Sequence, residues 1–226
     1  MSINRVGSRA IPRAVVRMAL DRRVLANTPG LAFWKVLGTG SGRTFSIRDA
    51  DLTTWALFGV WENVDAWRSF AATSSYARLW SGLAVEQSTM LLEPVKWRGT
   101  WAGRSPFDSA PTALPLADDE PLAVLTRARV RPSMWRKFAR SVPPVAAAVN
   151  ATPGLRFTVG IGEAPVGLQA TFSLWESESA MTSFAYRTDA HRRVMKQTLD
   201  TGWYAEELFA RFRIIESTGT LPGIGS

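Results

Sequence analysis

His191 has the most distinctive chemistry in this chain of 226 residues, because it is the single histidine and there is no cysteine. The lack of cysteine excludes disulfides, thiolate nucleophiles, iron–sulfur clusters and thiolate-ligated haem. The same counts argue against a zinc site built from several histidines and cysteines. A Ser-His-Asp triad would have to use His191, and no G-x-S-x-G turn is present to hold its serine.

The residues around His191 have helical spacing. Thr188 can cap a helix, and His191 then shares an apolar face with Val194, Met195 and Thr198. The opposite face is basic, with Arg192, Arg193 and Lys196. An inward imidazole can ligate haem iron while its other nitrogen is held by a hydrogen bond. It can also be a hydrogen-bonded core residue, and the spacing alone leaves both interpretations open.

Two other motifs favour simpler interpretations. The glycine-rich segment 38–42 follows a predicted strand, but the residues after it do not start a helix that could receive a pyrophosphate. We interpret it as a flexible turn. Three adjacent acids could bind a hard cation, but on a proline-rich linker they are more often solvated. These acids are Asp118, Asp119 and Glu120.

The two halves of the chain repeat one pattern. Thr28-Pro29-Gly30-Leu31 returns as Thr152-Pro153-Gly154-Leu155, an offset of 124 residues, whereas Trp61-Glu62 returns as Trp175-Glu176, an offset of 114. The first half therefore carries an insertion of ten residues (124 − 114) between Gly38 and Leu52. Such a duplication implies two copies of one structural unit. The equivalent of His191 is Ala77, so the candidate ligand belongs to one copy only.

Hydrophobic periodicity predicts a β-α-β-β-α-β order for each copy, which is the ferredoxin-like unit. In the second copy we expect strands at 121–130, 155–161, 168–175 and 206–217, a helix over 132–150 that Pro143-Pro144 bends or breaks, and a helix over 177–200 with a break near Thr188. In the first copy we expect helices at 11–26 and 64–85 and strands at 31–38, 54–61 and 88–98, with the opening strand cut short near Met1–Gly7.

The predicted organisation is an N-terminal repeat over 1–99, a linker over 100–120 and a C-terminal repeat over 121–226 that would bind haem. The predicted fold is α+β, with the two ferredoxin-like repeats packed sheet to sheet as a fused dimeric α+β barrel. Alternation along strand 168–175 assigns Leu168, Ala170, Phe172 and Leu174 to the face that meets the helices, and Trp175 to the opposite face.

The net charge of +8 and the ten tryptophans bear on partners. Arg5, Arg9, Arg13 and Arg17 could contact anionic lipid at the membrane periphery, although a solvated helix face is the interpretation we favour, and no nucleic acid is expected. No apolar run is long enough to span a membrane, and no secretory leader is evident, so we expect a cytoplasmic protein. The aromatic residues suit either core packing or a pocket for an apolar ligand.

Three segments resemble the spheroidene monooxygenase family over about residues 10–222. They are the stretch from Gly30 to Gly40, the Phe184-Ala185-Tyr186 triplet followed by His191, and the stretch from Thr201 to Phe212. The resemblance implies a haem enzyme that oxidises acyclic carotenoids with electrons from a ferredoxin-type donor, with His191 as the axial ligand of haem b. The expected fold is also similar to that of chlorite dismutases and dye-decolourising peroxidases. The short first strand departs from the family pattern, and the true start could lie upstream.

The favoured hypothesis is a haem monooxygenase acting on an apolar, polyene-like small molecule. The haem would lie between helix 189–200 and the sheet face of Ala170 and Phe172, with Met195 beside it; Arg187 and Gln169 are candidate distal donors. Another haem reaction, peroxidase-like or aldoxime dehydration, and a haem or apolar-ligand carrier without turnover are the alternatives. A cofactor-free monooxygenase is disfavoured, and the oligomeric state stays open.

Overall fold

The computed structural model describes residues 1–44, 47–163, 168–187 and 202–221. The chain divides into two compact units. The first comprises Met1–Thr39, Asp51–Leu91 and the end of the chain from Glu216, and the second comprises Gly40–Ala50 and Leu92–Ile215. The inserted segment of the first repeat is therefore part of the second compact unit.

Within the described residues, the first repeat contains four strands and three α-helices. They are β1 (Ser2–Val6), α1 (Ile11–Ala26), β2 (Leu31–Gly40), β3 (Ala50–Trp61), α2 (Val64–Thr73), α3 (Ser75–Leu83) and β4 (Ala84–Gly99). The strand order is β4-β1-β3-β2. β1 pairs antiparallel with both neighbours, so that Ser2 lies opposite Leu57 of β3 and Thr89 of β4. The opening strand is present, with five residues against nine in its counterpart β5.

The second unit repeats this arrangement with two helices described. Its elements are β5 (Leu122–Val130), α4 (Trp135–Asn150), β6 (Leu155–Gly162), β7 (Leu168–Trp175), α5 (Glu178–Arg187) and β8 (Tyr204–Gly219). The strand order is β6-β7-β5-β8, which matches the first unit strand for strand. The prediction of tandem ferredoxin-like repeats in an α+β fold is confirmed.

The helices differ from the predicted ones at two places. The helix expected over 64–85 is two helices, because Ser74 is extended (φ −71°, ψ 147°) and its hydroxyl accepts the N–H of Ala77 at 3.0 Å. That bond caps α3. Of the bend or break predicted at Pro143 and Pro144, the break is absent, because α4 continues through both prolines. No helix in the described part of the chain is long and apolar enough to cross a bilayer.

Candidate functional site

A row of small and polar residues crosses the helix-facing side of the second unit's sheet. Thr126 of β5 lies directly opposite Thr171 of β7 and Phe209 of β8, and Thr171 lies opposite Gly160 of β6. Paired residues of an antiparallel sheet share a face. Thr126 is solvent-exposed although β5 is a central strand and two helices cover this side of the sheet. Thr126 is therefore left uncovered by α4 and α5, the helices that the structure describes on this side of the sheet.

Two separate hydrophobic clusters border this uncovered position. One contains Leu122, Val124, Trp175, Met181 and Phe184, with residues of α4 packed against it. The other contains Val130, Phe138, Val142 and Trp203. We call the space between these clusters, above Thr126 and Thr171, the helix-layer opening. Polar residues that lie between two apolar clusters are an arrangement typical of ligand sites.

The first unit has no such opening at the equivalent positions. Repeat offsets place Ser2 and Leu57 where the second unit has Thr126 and Thr171, and Trp55 where it has Gln169. Leu57 and Trp55 belong to one continuous buried cluster with Tyr76 and Trp80 of α3. A core residue typically contacts several others in a close-packed interior. Over the described residues, which omit 188–201, the helix layer is therefore filled in the first unit and interrupted in the second.

Trp203, a member of the second cluster, carries an indole N–H without an acceptor in the described part of the chain. Its side chain is 2% exposed, and its indole N–H has no hydrogen-bond acceptor within the described residues. A buried N–H without an acceptor costs about 1–3 kcal/mol of stability, so an unpaired donor such as this one needs a physical explanation. The backbone around it is anchored, because the Trp203 carbonyl accepts the N–H of Arg131 at 2.9 Å.

The predicted axial ligand His191 and its neighbour Met195 lie outside the described residues, which stop at Arg187 and resume at Gly202. The described residues that precede and follow 188–201 in the chain border the opening. Phe184 of α5 belongs to the first cluster, and Trp203 belongs to the second. The role of His191 as a cofactor ligand and that of Met195 as a pocket residue stay predictions.

The face predicted for Ala170 and Phe172 is wrong. Trp175, which alternation places on the opposite face, stacks on Phe184 of α5 with ring centroids 6.0 Å apart. Ala170 and Phe172 therefore point away from α4 and α5, and they are fully buried at 4% and 0% exposure. A haem between the helices and this sheet would contact Thr171 and Gln169 rather than Ala170 and Phe172.

The other candidates are distributed as follows. Gln169 is 6% exposed and lies on the helix-facing side, one alternate position from Thr171, whereas Arg187 is the last residue of α5. Glu120 of the acidic triplet accepts the Nε–H of Arg213 at 2.6 Å, and Asp118 and Asp119 are exposed. Among the described residues, no group of three or more His, Asp or Glu side chains could hold a metal ion.

Sequence analysis missed a buried charge cluster on the other face of the same sheet. Arg127, 4% exposed, forms ion pairs with Glu206 and with Glu163, the latter at 3.3 Å. Its guanidinium carbon lies 5.5 Å from the ring of Trp101, whose N–H donates to Glu163 at 2.6 Å. Arg127 pairs with Ala170 across β5 and β7, so the cluster faces away from the opening.

Glu206 connects this cluster to the linker. Its carboxylate accepts the N–H of Gly103 at 2.7 Å and the hydroxyl of Thr100 at 3.0 Å. Burial by itself would raise the pKa of Glu206, but the Gly103 N–H and the Arg127 guanidinium outweigh it and lower the pKa to about 2. The carboxylate is thus charged at neutral pH and ties Thr100 and Gly103 to β8. This arrangement is structural.

Comparison with known proteins gives relatives along nearly the whole chain. The chain is 33% identical over 217 residues to a spheroidene monooxygenase from Rhodobacter capsulatus, covering 96% of this chain and 89% of the relative. It is 30% identical over 208 residues to a spheroidene monooxygenase from Cereibacter sphaeroides, covering 92% of this chain and spanning 63% of the relative's length. No family model matches the chain.

A solved structure shares the fold. An aldoxime dehydratase in complex with butyraldoxime aligns with a TM-score of 0.58 at 10% identity, covering 95% of this chain and 78% of the other. At that identity the likeness extends to the fold alone.

Proposed function

Because the chain belongs to the spheroidene monooxygenase family, we propose that it is a haem-dependent monooxygenase that oxidises an apolar, carotenoid-like substrate. Membership of this family makes the chain a monooxygenase, which is an oxidoreductase. Haem b, the axial role of His191, the substrate class and the ferredoxin-type electron donor are the parts that we propose.

The observation that carries the proposal is the exposure of Thr126 between two apolar clusters of the second unit, where the described helices leave it uncovered. A protein stabilised by close packing gains nothing from leaving Thr126 exposed at the centre of a sheet. In the first repeat Leu57, the counterpart of Thr171, is buried in a packed cluster, and Trp55 stands where the second repeat has the smaller Gln169. A ligand site that exists in one repeat only requires space above the sheet of that repeat, where the other repeat has packed side chains.

The residues around the opening fit a haem. Two apolar clusters can cover the faces of a macrocycle, and the unpaired N–H of Trp203 can donate to an anionic or carbonyl oxygen at its edge. A neutral imidazole is a common axial ligand of haem iron. His191 is the single histidine, and it belongs to the chain segment that connects the two clusters.

The repeat supports a helical position for His191. Ser74, which caps α3 in the first unit, is equivalent to Thr188 at the offset of 114 residues. By this equivalence the segment after Thr188 corresponds to α3, whose Tyr76 and Trp80 fill the first unit's helix layer. Ala190 and Val194 stand at those two positions, and His191 stands at that of Ala77. Smaller side chains would leave room for a cofactor.

Bound haem would supply the activation of dioxygen, which no amino acid side chain provides. The chain's own residues would bind and orient the substrate and shield it from water. The aromatic side chains of both clusters exclude water and hold an apolar substrate, and the hydroxyls of Thr126 and Thr171 offer hydrogen bonds at the sheet surface. Gln169, buried on the same face, is our candidate distal donor in preference to Arg187.

The test is oxygen transfer with isotopically labelled dioxygen. Purified protein reconstituted with haem is supplied with a ferredoxin-type donor, its reductase and an acyclic carotenoid, and products are analysed by mass spectrometry. We expect label in the product and no product without haem or without the donor. Stoichiometric haem binding with no labelled product from the carotenoid would contradict the monooxygenase proposal and favour a carrier.

A further inference from the structure

The segment Gly40–Thr44 belongs to the first repeat in sequence but packs in the second compact unit. It starts at the end of β2 and occupies the region where the first repeat is ten residues longer than the second (124 − 114). The second repeat folds without this longer connection, so the shared fold does not require it. Its position is therefore a guide to a function that only one of the repeats has.

Two glycines seat this segment on the sheet. A Cβ atom on Gly160 would lie 2.8 Å from both N and Cα of Gly42, a distance that side-chain carbons do not tolerate. From the other side, a Cβ on Gly42 would lie 3.4 Å from N of Gly160 and 3.9 Å from Cγ2 of Thr171. Gly42 is buried, and its φ of +70° suits glycine. The two backbones are thus in direct contact.

The contact lies on the side of the sheet that carries the opening. Gly160 pairs with Thr171 and shares its face, and Thr171 in turn pairs with the exposed Thr126. Gly42 approaches the position that a Gly160 side chain would take, so the segment lies above β6 at the edge of the opening. It borders the opening on the side opposite Phe209 of β8.

The segment is held in shape by one carboxylate. Asp49 accepts the hydroxyl of Ser41 and the N–H of Thr44, the latter at 3.1 Å, and its carbonyl accepts the N–H of Ser41 at 3.3 Å. The hydroxyl of Ser41 accepts the N–H of Arg43 at 3.2 Å. Short-range bonds of this kind pre-form a turn, which lowers the entropy lost when a ligand contacts it.

From this contact we propose that Gly40–Thr44 forms the β6-side border of the helix-layer opening and slows release of the ligand bound there. The first repeat thereby completes the site of the second. The inference rests on the proposed function, since it takes the opening as the haem site. Ser41 and Asp49 act as positioning residues, and Gly42 and Gly160 set how closely the segment lies on the sheet.

Gly160→Ala tests the contact, with Gly82→Ala as the matched control. A methyl group at position 160 must displace Gly42, whereas a Cβ on Gly82 meets nothing within 4 Å in the exposed face of α3. Asp49→Ala is the second variant, because it loosens the turn without inserting an atom into the contact. Far-ultraviolet circular dichroism establishes that each variant is folded.

The first readout uses no haem. Limited trypsin digestion should cut after the exposed Arg43 and Arg48 about tenfold faster in Gly160→Ala, the factor that a modest overpacking penalty implies, and faster also in Asp49→Ala. The Gly82→Ala protein should be cut at the wild-type rate. Equal cutting in all four proteins would overturn the contact and the inference with it.

The second readout is the rate at which haem leaves to an excess of apomyoglobin. We expect release about tenfold faster from Gly160→Ala and Asp49→Ala, and unchanged release from Gly82→Ala. Haem should also slow trypsin cutting of the wild type. Haem release at the wild-type rate from both Gly160→Ala and Asp49→Ala would overturn the inference while leaving the haem proposal intact. A wild type that takes up no haem would overturn the proposed function, and the border itself would then be decided by the digestion without haem.

Discussion

The indole N–H of Trp80 donates to Oδ2 of Asp21 at 2.7 Å, and this bond joins α3 to α1 in the first unit. Asp21 is completely buried and also pairs with Arg17, so both carboxylate oxygens are used. Trp203 in the second unit has an equally buried indole N–H with no acceptor in the described residues. The two tryptophans therefore differ: the N–H of Trp80 has a buried carboxylate as its acceptor, whereas that of Trp203 has no acceptor among the described residues.

Asp21→Ala should destabilise the protein strongly without affecting the second unit's ligand. The substitution leaves the buried Trp80 N–H and the partly exposed Arg17 charge without their shared partner, and breaking such a pair typically costs about 3–5 kcal/mol when it is fully buried. Urea denaturation measures this loss, with the exposed Asp118→Ala as control, for which we expect a change within about 0.5 kcal/mol. Equal stability of the two variants would show that the buried pair contributes nothing.

Trp203→Phe should weaken haem binding and leave the haem-free protein at least as stable. Phenylalanine keeps an aromatic ring and removes the donor that has no acceptor, so the stability should stay equal or rise by about 1 kcal/mol. Haem affinity, measured by absorbance titration, should fall about tenfold if the N–H binds the cofactor.

Trp101→Phe is the matched control for this change. Its N–H donates to Glu163 at 2.6 Å on the face of the sheet that points away from the opening, so its loss should lower stability by about 1 kcal/mol and leave haem affinity near the wild-type value. Unchanged affinity in Trp203→Phe would mean that the indole does not contact the ligand.

Thr171→Leu should close the opening, because leucine is the residue that fills the equivalent position 57 of the first repeat. We expect haem uptake to be lost or reduced at least about tenfold while the thermal midpoint is kept or raised, since more apolar surface is buried. The reciprocal Leu57→Thr removes methyl groups from a residue that is 4% exposed and should cost about 2–4 kcal/mol without affecting haem uptake. Normal haem uptake by Thr171→Leu would place the cofactor elsewhere.

Glu206 should make stability depend on pH in the acid range. Its pKa is lowered from 4.5 to about 2 in the folded protein, so its contribution is fully present above pH 4.5 and is lost as the pH falls towards 2. The contribution is about 3 kcal/mol at most. Glu206→Gln should reduce the fall in stability between pH 5 and pH 2.5 on urea denaturation. Glu207→Gln is the control, since that side chain is 45% exposed, and an identical pH profile for both variants would contradict the assignment.

Much of the fold was predictable because the duplication gave two versions of each element. The offsets of 124 and 114 residues, read from sequence alone, are the same offsets that relate Thr126 to Ser2 and Thr171 to Leu57 in the strand registers. The opening could also have been found this way, since a Leu-to-Thr and a Trp-to-Gln difference at paired positions are visible without coordinates.

The face of β7 was not predictable from alternation, because both faces of that strand are buried. Phe172 is 0% exposed on one side and Trp175 is 3% exposed on the other, so apolar character did not distinguish them. The break between α2 and α3 at Ser74 depends on a side-chain cap that competes with continuation of the helix. Hydrophobic periodicity does not detect such a bond. The unpaired N–H of Trp203 and the contact between Gly42 and Gly160 arise from tertiary packing alone.

Ligation of haem by His191 is decided by the visible spectrum of wild-type protein and His191→Ala during titration with haem, with Lys196→Ala as control. We expect one haem per wild-type chain with a Soret band typical of histidine ligation. That band should be retained by Lys196→Ala and lost by His191→Ala. An unchanged Soret band in folded His191→Ala, or a folded wild type that binds no haem, would contradict ligation by His191.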